Sequence, residues 1–221
     1  MTTIEKPSGA YHHGDLRRAL VEGALELLHE RGPAGLTLRG AARKAGVSEA
    51  APYRHFADKE ALLASVAEEG FRALSREVVR SIDGISDPLE SFRAHGLAYV
   101  RFALEHPHYY RIMFGPEVVD KQAFPDLLEI ATGAYEALFV SITACQQAGE
   151  ILGDDVEALS VAAWSVVHGL SSLIIDGQIR DAGTDGVGRE RAMEVADHIL
   201  TMLFTGIGLP AEGSNLGTGS V

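Results

Sequence analysis

The chain has 221 residues, 46% of them hydrophobic and 23% charged, which suits an ordinary globular protein of one medium domain or of a small domain joined to a larger one. No run approaches the roughly 18 uninterrupted apolar residues of a membrane span, and the N-terminus lacks the apolar core of a secretory signal. A single cysteine, Cys145, excludes an intrachain disulfide, so a cytoplasmic protein with no membrane partner is expected. The net charge of −12 is unevenly spread: residues 1–80 hold twelve basic and eleven acidic side chains, and the remainder seven and twenty. Duplex DNA repels such an acidic remainder, so any contact with DNA falls to the N-terminal part.

In chain order, residues 1–11 read as a disordered arm and the Gly- and Ser-rich residues 208–221 as a flexible tail. Everything between reads as helix, with no period-two strand run. Leu16, Leu20, Ala24 and Leu27 form the stripe of a first helix, from about Asp15 to Arg31, which Gly32-Pro33 stops. Thr37 is the N-cap of a short helix to Ala45, Gly46 supplies a tight turn, and a second short helix is predicted from Ser48 to Phe56. Asp58 opens a longer helix that fades near Asp83-Gly84. Asp87-Pro88-Leu89-Glu90 combines an N-cap, a first-turn proline and a capping-box glutamate, and starts a helix that Pro107 ends. HYYRIMF is a turn or two of helix, and residues 115–124 are a loop. A helix follows from Pro125 to Gln147, striped by Leu128, Ala131, Tyr135, Leu138, Ile142 and Cys145. Asp154 and Glu157 form a capping box for a helix to about Ile179, and a Gly-rich loop leads to a last helix at residues 189–206.

The helix after residue 154 is apolar on two sides. Leu159, Ala162, Val166, Leu170 and Leu173 make one stripe, and Val161, Trp164, His168 and Ile175 another. Both sides need cover, and in a small body a second copy of the chain is the natural cover, so a homodimer is expected through the first stripe with Val195, Ile199 and Leu203 of the last helix.

The chemistry concentrates in TLRGAARKAGVSEAAPYRHFADKEALL, residues 37–63: two short helices around a glycine turn, braced by flanking helices, a helix-turn-helix unit. Ala50 and Ala51 are small enough to let the backbone approach base edges and can meet thymine methyls. Tyr53, His55 and Lys59 suit phosphates around a docked helix end, and Thr37 and Ser48 sit at helix starts, where free N–H groups favour phosphate.

These residues resemble the TetR family of bacterial transcriptional regulators. The resemblance covers about residues 12–75 and rests on the stripe of the first helix, Gly32, Thr37, Ala42, Ala45-Gly46-Val47-Ser48, Tyr53, His55-Phe56, Lys59-Glu60 and Leu62-Leu63. It implies an all-α protein: a three-helix DNA-binding head, a connecting helix, and a helical-bundle body that dimerises and binds a ligand. The corresponding bounds are 12–60, 61–84 and 85–207. It implies DNA contacts from Thr37, Arg39, Ser48, Glu49, Ala50, Ala51, Tyr53, Arg54, His55 and Lys59. It further implies two heads on a palindromic double-stranded operator and a small-molecule effector that releases them, usually from repression. Ala50-Ala51-Pro52 stands where the family often has Gly-Thr-Leu or similar, so base preference does not transfer. WSVVHG, Trp164 to Gly169, together with YHHGDLR and APYRHF, resembles a subgroup with a Trp-x-x-x-His-Gly signature.

Phe92, Tyr99, Phe102, Tyr110, Met113, Phe114, Tyr135 and Trp164 either line a lipophilic pocket or pack a core, and His168 either meets a ligand or a buried carbonyl, Gly169 suggesting close helix packing. His106 and His108 flank a proline with no third ligand, so no metal is expected; GIGLPA has no preceding strand, so no dinucleotide cofactor is expected either. No nucleophile elbow occurs and no enzyme is expected. The alternative to an effector-released repressor is a DNA-binding regulator that has no small-molecule ligand and is controlled by a protein; a fully packed body would favour it.

Overall fold

The computed structural model describes residues 13–207, apart from 152 and 154. The arm at 1–11, the tail at 208–221 and the capping residue Asp154 lie outside the described residues. Among those, every regular element is helical. α1 (His13–Arg31) buries Leu20, Ala24 and Leu27 of the expected stripe, with Leu16 half-buried beside them. α2 (Leu38–Lys44) starts where Thr37 Oγ1 accepts the Gly40 N–H at 3.0 Å. It ends at Gly46, whose φ of +66° lets the Val47 N–H reach back to the Ala42 carbonyl at 3.0 Å.

The helix predicted from Ser48 to Phe56 is not an α-helix. The segment is a turn, closed by Ala51 N–H on Ser48 O at 2.9 Å, followed by a 3-10 turn at Pro52–Arg54. Pro52 has no N–H to extend the ladder back to Ser48, and its buried ring fixes the chain there.

α3 (Lys59–Ile82) is capped by Asp58, which accepts the Ala61 N–H at 2.9 Å. Its 24 residues run from the head into the body: it packs first on α1, then on α4 (Pro88–Glu105), α5 (Pro107–Phe114) and α6 (Pro125–Gln147). α4 opens as expected, with Asp87 accepting the Glu90 N–H at 2.7 Å. It is the central helix of the body, with Phe92, Ala98, Tyr99, Val100, Phe102, Ala103 and Leu104 all buried. The 115–124 loop holds one 3-10 turn, Lys121–Ala123.

α6 keeps its predicted bounds and most of its predicted stripe: Ile142 and Cys145 are buried and Ala131, Tyr135 and Leu138 half-buried, but in the first turn Leu127 is buried in place of Leu128, which is 45% exposed. α7 (Val156–Ile175) begins at Asp155, one residue after the expected cap, and stops four residues early. Gly177 takes a φ of +68° there, and the Gln178 N–H turns back to the Leu173 carbonyl at 2.8 Å. α8 (Gly186–Ile207) starts three residues before the predicted bound. By length and composition α6 and α7 could each cross a membrane; in this fold they pack against α4 and each other.

Candidate functional site

On the head, α2 and the turns after it expose Thr37, Arg39, Arg43, Ser48, Glu49, Ala50, Tyr53 and Arg54. Ala51 and His55 are half-buried, and Pro52 and Phe56 form the inner side of the segment. The Glu49 carboxylate lies between two guanidinium groups, 2.8 Å from Arg43 and 3.9 Å from Arg39. Arg43 was not among the expected contacts. Its signal was its place four residues after Arg39, which sets both on one side of α2. Lys59 Nζ donates to the Pro33 carbonyl at 2.6 Å, so its ammonium holds the α1–α2 connection. Arg17 fixes α1 to α3: its guanidinium donates to Ser65 Oγ at 2.7 Å and to Glu68 Oε2 at 3.1 Å, and lies 5.9 Å from the centre of the Phe56 ring. Glu68 is only 5% exposed, and a buried carboxylate left without Arg17 and Arg72 would be costly. The head is therefore held to α3 by a charged contact with one defined geometry.

The body contains a cavity of about 630 Å³, within the range of small-molecule sites. Leu74, Val78 and Ile82 of α3 form part of its wall, and α4, the end of α5, the 115–124 loop, α6, α7 and α8 contribute the rest. Phe92, Tyr99, Phe114, Tyr135 and Trp164, all expected from the sequence, line it. Phe102, Tyr110 and Met113 are instead buried in the core, at most 4% exposed. The sequence reading missed His95, Lys121 and Ser141, which bring polar groups to the wall. No local pattern marks them, because their elements meet only in the folded body. His95 Nδ1 lies 3.3 Å from Ser141 Oγ, and burial pushes the imidazole pKa down to about 4.

His168 is held by tyrosines. Tyr99 Oη and Tyr110 Oη lie 2.9 and 2.8 Å from its Nδ1, Tyr110 Oη also lies 3.0 Å from its carbonyl, and Trp164 Nε1 donates to Tyr99 Oη at 3.3 Å. Trp164 donates to Tyr99, and the two phenols share Nδ1 of a neutral imidazole, with Tyr110 also within reach of Ser172 Oγ at 3.3 Å, an arrangement that carries no charge. Burial favours it, since it raises the pKa of both phenols and lowers that of the imidazole. Gly169 does not pack closely within the chain, because a Cβ there would meet nothing within 4 Å.

Of the expected dimer stripe, Leu170 is buried within the chain, and Leu159, Val195, Ile199 and Leu203 pack on its hydrophobic clusters. Ala162 and Leu173 face outward, as do Val161 of the second stripe and Met202 of α8.

Comparison with known proteins matches both halves. Residues 20–66 match the family model for bacterial regulatory proteins of the tetR family, and residues 92–201 match that for the tetracyclin repressor-like C-terminal domain. Over 107 residues the chain is 32% identical to the class D tetracycline repressor protein of Escherichia coli, covering 48% of each. Over 103 residues it is 32% identical to the HTH-type transcriptional regulator BetI of Agrobacterium fabrum, covering 47% of this chain and 46% of that one. The chain thus spans about half the length of these relatives. A solved structure of a protein with unknown function from Rhodococcus sp. RHA1 is similar along nearly its whole length, with a TM-score of 0.77 and 32% identity over 90% of this chain and 99% of that one. Head and body match models of one family, and the chain belongs to the TetR family of transcriptional regulators.

Proposed function

We propose that the chain is a sequence-specific DNA-binding regulator rather than an enzyme. In this reading it works in the cytoplasm as a homodimer, and represses from a palindromic operator until a small, largely apolar effector releases it. The observation that carries the reading is the exposed head face of Arg39, Arg43, Ser48, Ala50, Tyr53 and Arg54, which joins cations and hydroxyls for phosphates to a small methyl for base edges. The head is residues 12–60, the connecting helix 61–84 and the effector and dimer body 85–207. Within the head, Thr37 and Lys59 position the contact surface, and Glu49, Ala51 and His55 flank it. The outward side of α7, with Val161, Ala162, Gly169 and Leu173, supports pairing with a second copy, whose two heads would sit about 34–36 Å apart in successive major grooves. The Trp164–His168–Gly169 signature supports the Trp-x-x-x-His-Gly subgroup. An aromatic-lined cavity of about 630 Å³ favours a small effector over control by a protein.

The test is selection of the purified protein on a pool of random and genomic fragments, followed by sequencing. An enriched palindrome is the expected result. No enrichment at low salt, where phosphate contacts are strongest, overturns the DNA-binding reading.

A further inference from the structure

We infer that the cavity takes an amphiphile with an apolar body and one anionic group, and that the anion pairs with Lys121. The inference rests on the reading of the cavity as an effector site. Among the described lining residues Lys121 is the one side chain charged at neutral pH, and none is an aspartate or glutamate. His95, the other titratable nitrogen of the wall, is neutral, with its pKa near 4. Lys121 Nζ donates to the Met113 carbonyl at 2.9 Å. An ammonium has three donors, so that bond leaves two for a ligand. In a cavity otherwise walled by residues such as Leu74, Val78, Leu138 and Val167, an ammonium is best satisfied by a carboxylate, whereas a cationic ligand would find no opposite charge.

The position of Lys121 gives the anion a route to the head. Glu60, on the first turn of α3, accepts the N–H groups of Val119 and Asp120 at 2.8 and 3.3 Å. Lys121 follows directly in the same loop. A carboxylate that draws Lys121 into the cavity therefore loads the loop that Glu60 ties to the start of α3, next to the DNA-facing turns.

Trp164 is the one tryptophan of the chain and lines the cavity, so its fluorescence reports occupancy. The full chain is titrated, below their micelle concentrations, with dodecanoate, dodecanol and dodecyltrimethylammonium, and the titrations are repeated with Lys121→Met and Lys121→Arg. Dodecanoate is expected to bind tightest. Lys121→Met should weaken it roughly ten- to a hundredfold, the range of a charge-assisted hydrogen bond, leaving dodecanol unchanged, and Lys121→Arg should restore it. Equal binding of dodecanoate and dodecanol, or equal loss of both in Lys121→Met, overturns the anion assignment while leaving the cavity as a site. Silence of Trp164 towards all three amphiphiles overturns the effector-site reading and the inference with it.

Discussion

His95 is 8% exposed on α4, and burial holds its pKa near 4, below the ordinary value of 6.5. Between those two values the unfolded chain takes up a proton that the native protein refuses. Stability therefore rises with pH through this window: the contribution is present above about 6.5 and is lost as the pH falls towards 4. His95→Gln keeps a polar group near Ser141 but cannot titrate. Between about pH 7 and pH 5 the wild type is expected to lose roughly 2 kcal/mol more than this variant in urea unfolding. Equal losses would mean that His95 titrates normally in the folded protein. His168 differs in having its Nδ1 supplied by Tyr99 and Tyr110, which makes it part of the packing of α4 and α5 on α7. The sequence showed it as an imidazole one turn after Trp164, and could not separate a ligand contact from this internal one.

Among the elements, α3 links the two parts of the molecule, because its first half packs with the head and its second half forms part of the cavity wall. Gly70 sits midway. A Cβ there would stand 2.6 Å from Met113 Sδ and 3.1 Å from Tyr109 Cδ1 of α5. Gly70→Ala should therefore destabilise the fold by about 1–3 kcal/mol through overpacking, outweighing a helix-propensity gain of up to about 1 kcal/mol. A thermal midpoint equal to or above that of the wild type would show that α5 gives way freely. Glu60 offers a test of coupling between elements. Glu60→Ala removes the acceptor for two loop amides without touching the cavity wall. The dodecanoate affinity of this variant is expected to stay within about threefold of the wild type, while dodecanoate loses its effect on affinity for the selected operator. If the ligand still releases the DNA from the Glu60→Ala protein, the signal travels by another path.

For the whole molecule, assembly falls on α7. One side packs inward through Ala163, Val167, Leu170 and Ile174, while Val161, Ala162 and Leu173 remain outside on a helix rich in apolar residues. Leu173 is 49% exposed, so Leu173→Glu places a charge where the chain itself has little packing to lose. Sedimentation should show the variant shifted to monomer, with helical circular dichroism unchanged and operator affinity reduced. A persistent dimer would move the interface to another face, since a buried, unpaired carboxylate at an apolar contact is not tolerated.

Local chemistry made much of the fold legible in the sequence. Thr37, Asp58 and Asp87 cap their helices as read, and Pro88, Pro107 and Pro125 stand in the first turns of theirs, because a cap or a proline acts on backbone groups within one turn of itself. The segment that forms the head surface was legible for the same reason, since its residues are nearly contiguous, although Arg43 was passed over. Tertiary structure alone decided the rest. Periodicity tells which side of a helix is apolar, but burial is non-directional and does not tell whether that side meets a neighbour, a void or a second copy. Hence Phe92 and Trp164 line a cavity while Phe102 and Met113 fill the core, and Leu170 turns inward while Leu173 turns out. Lys121 and His95, which give that cavity its polar groups, come from segments 26 positions apart that only the packed bundle brings to one wall.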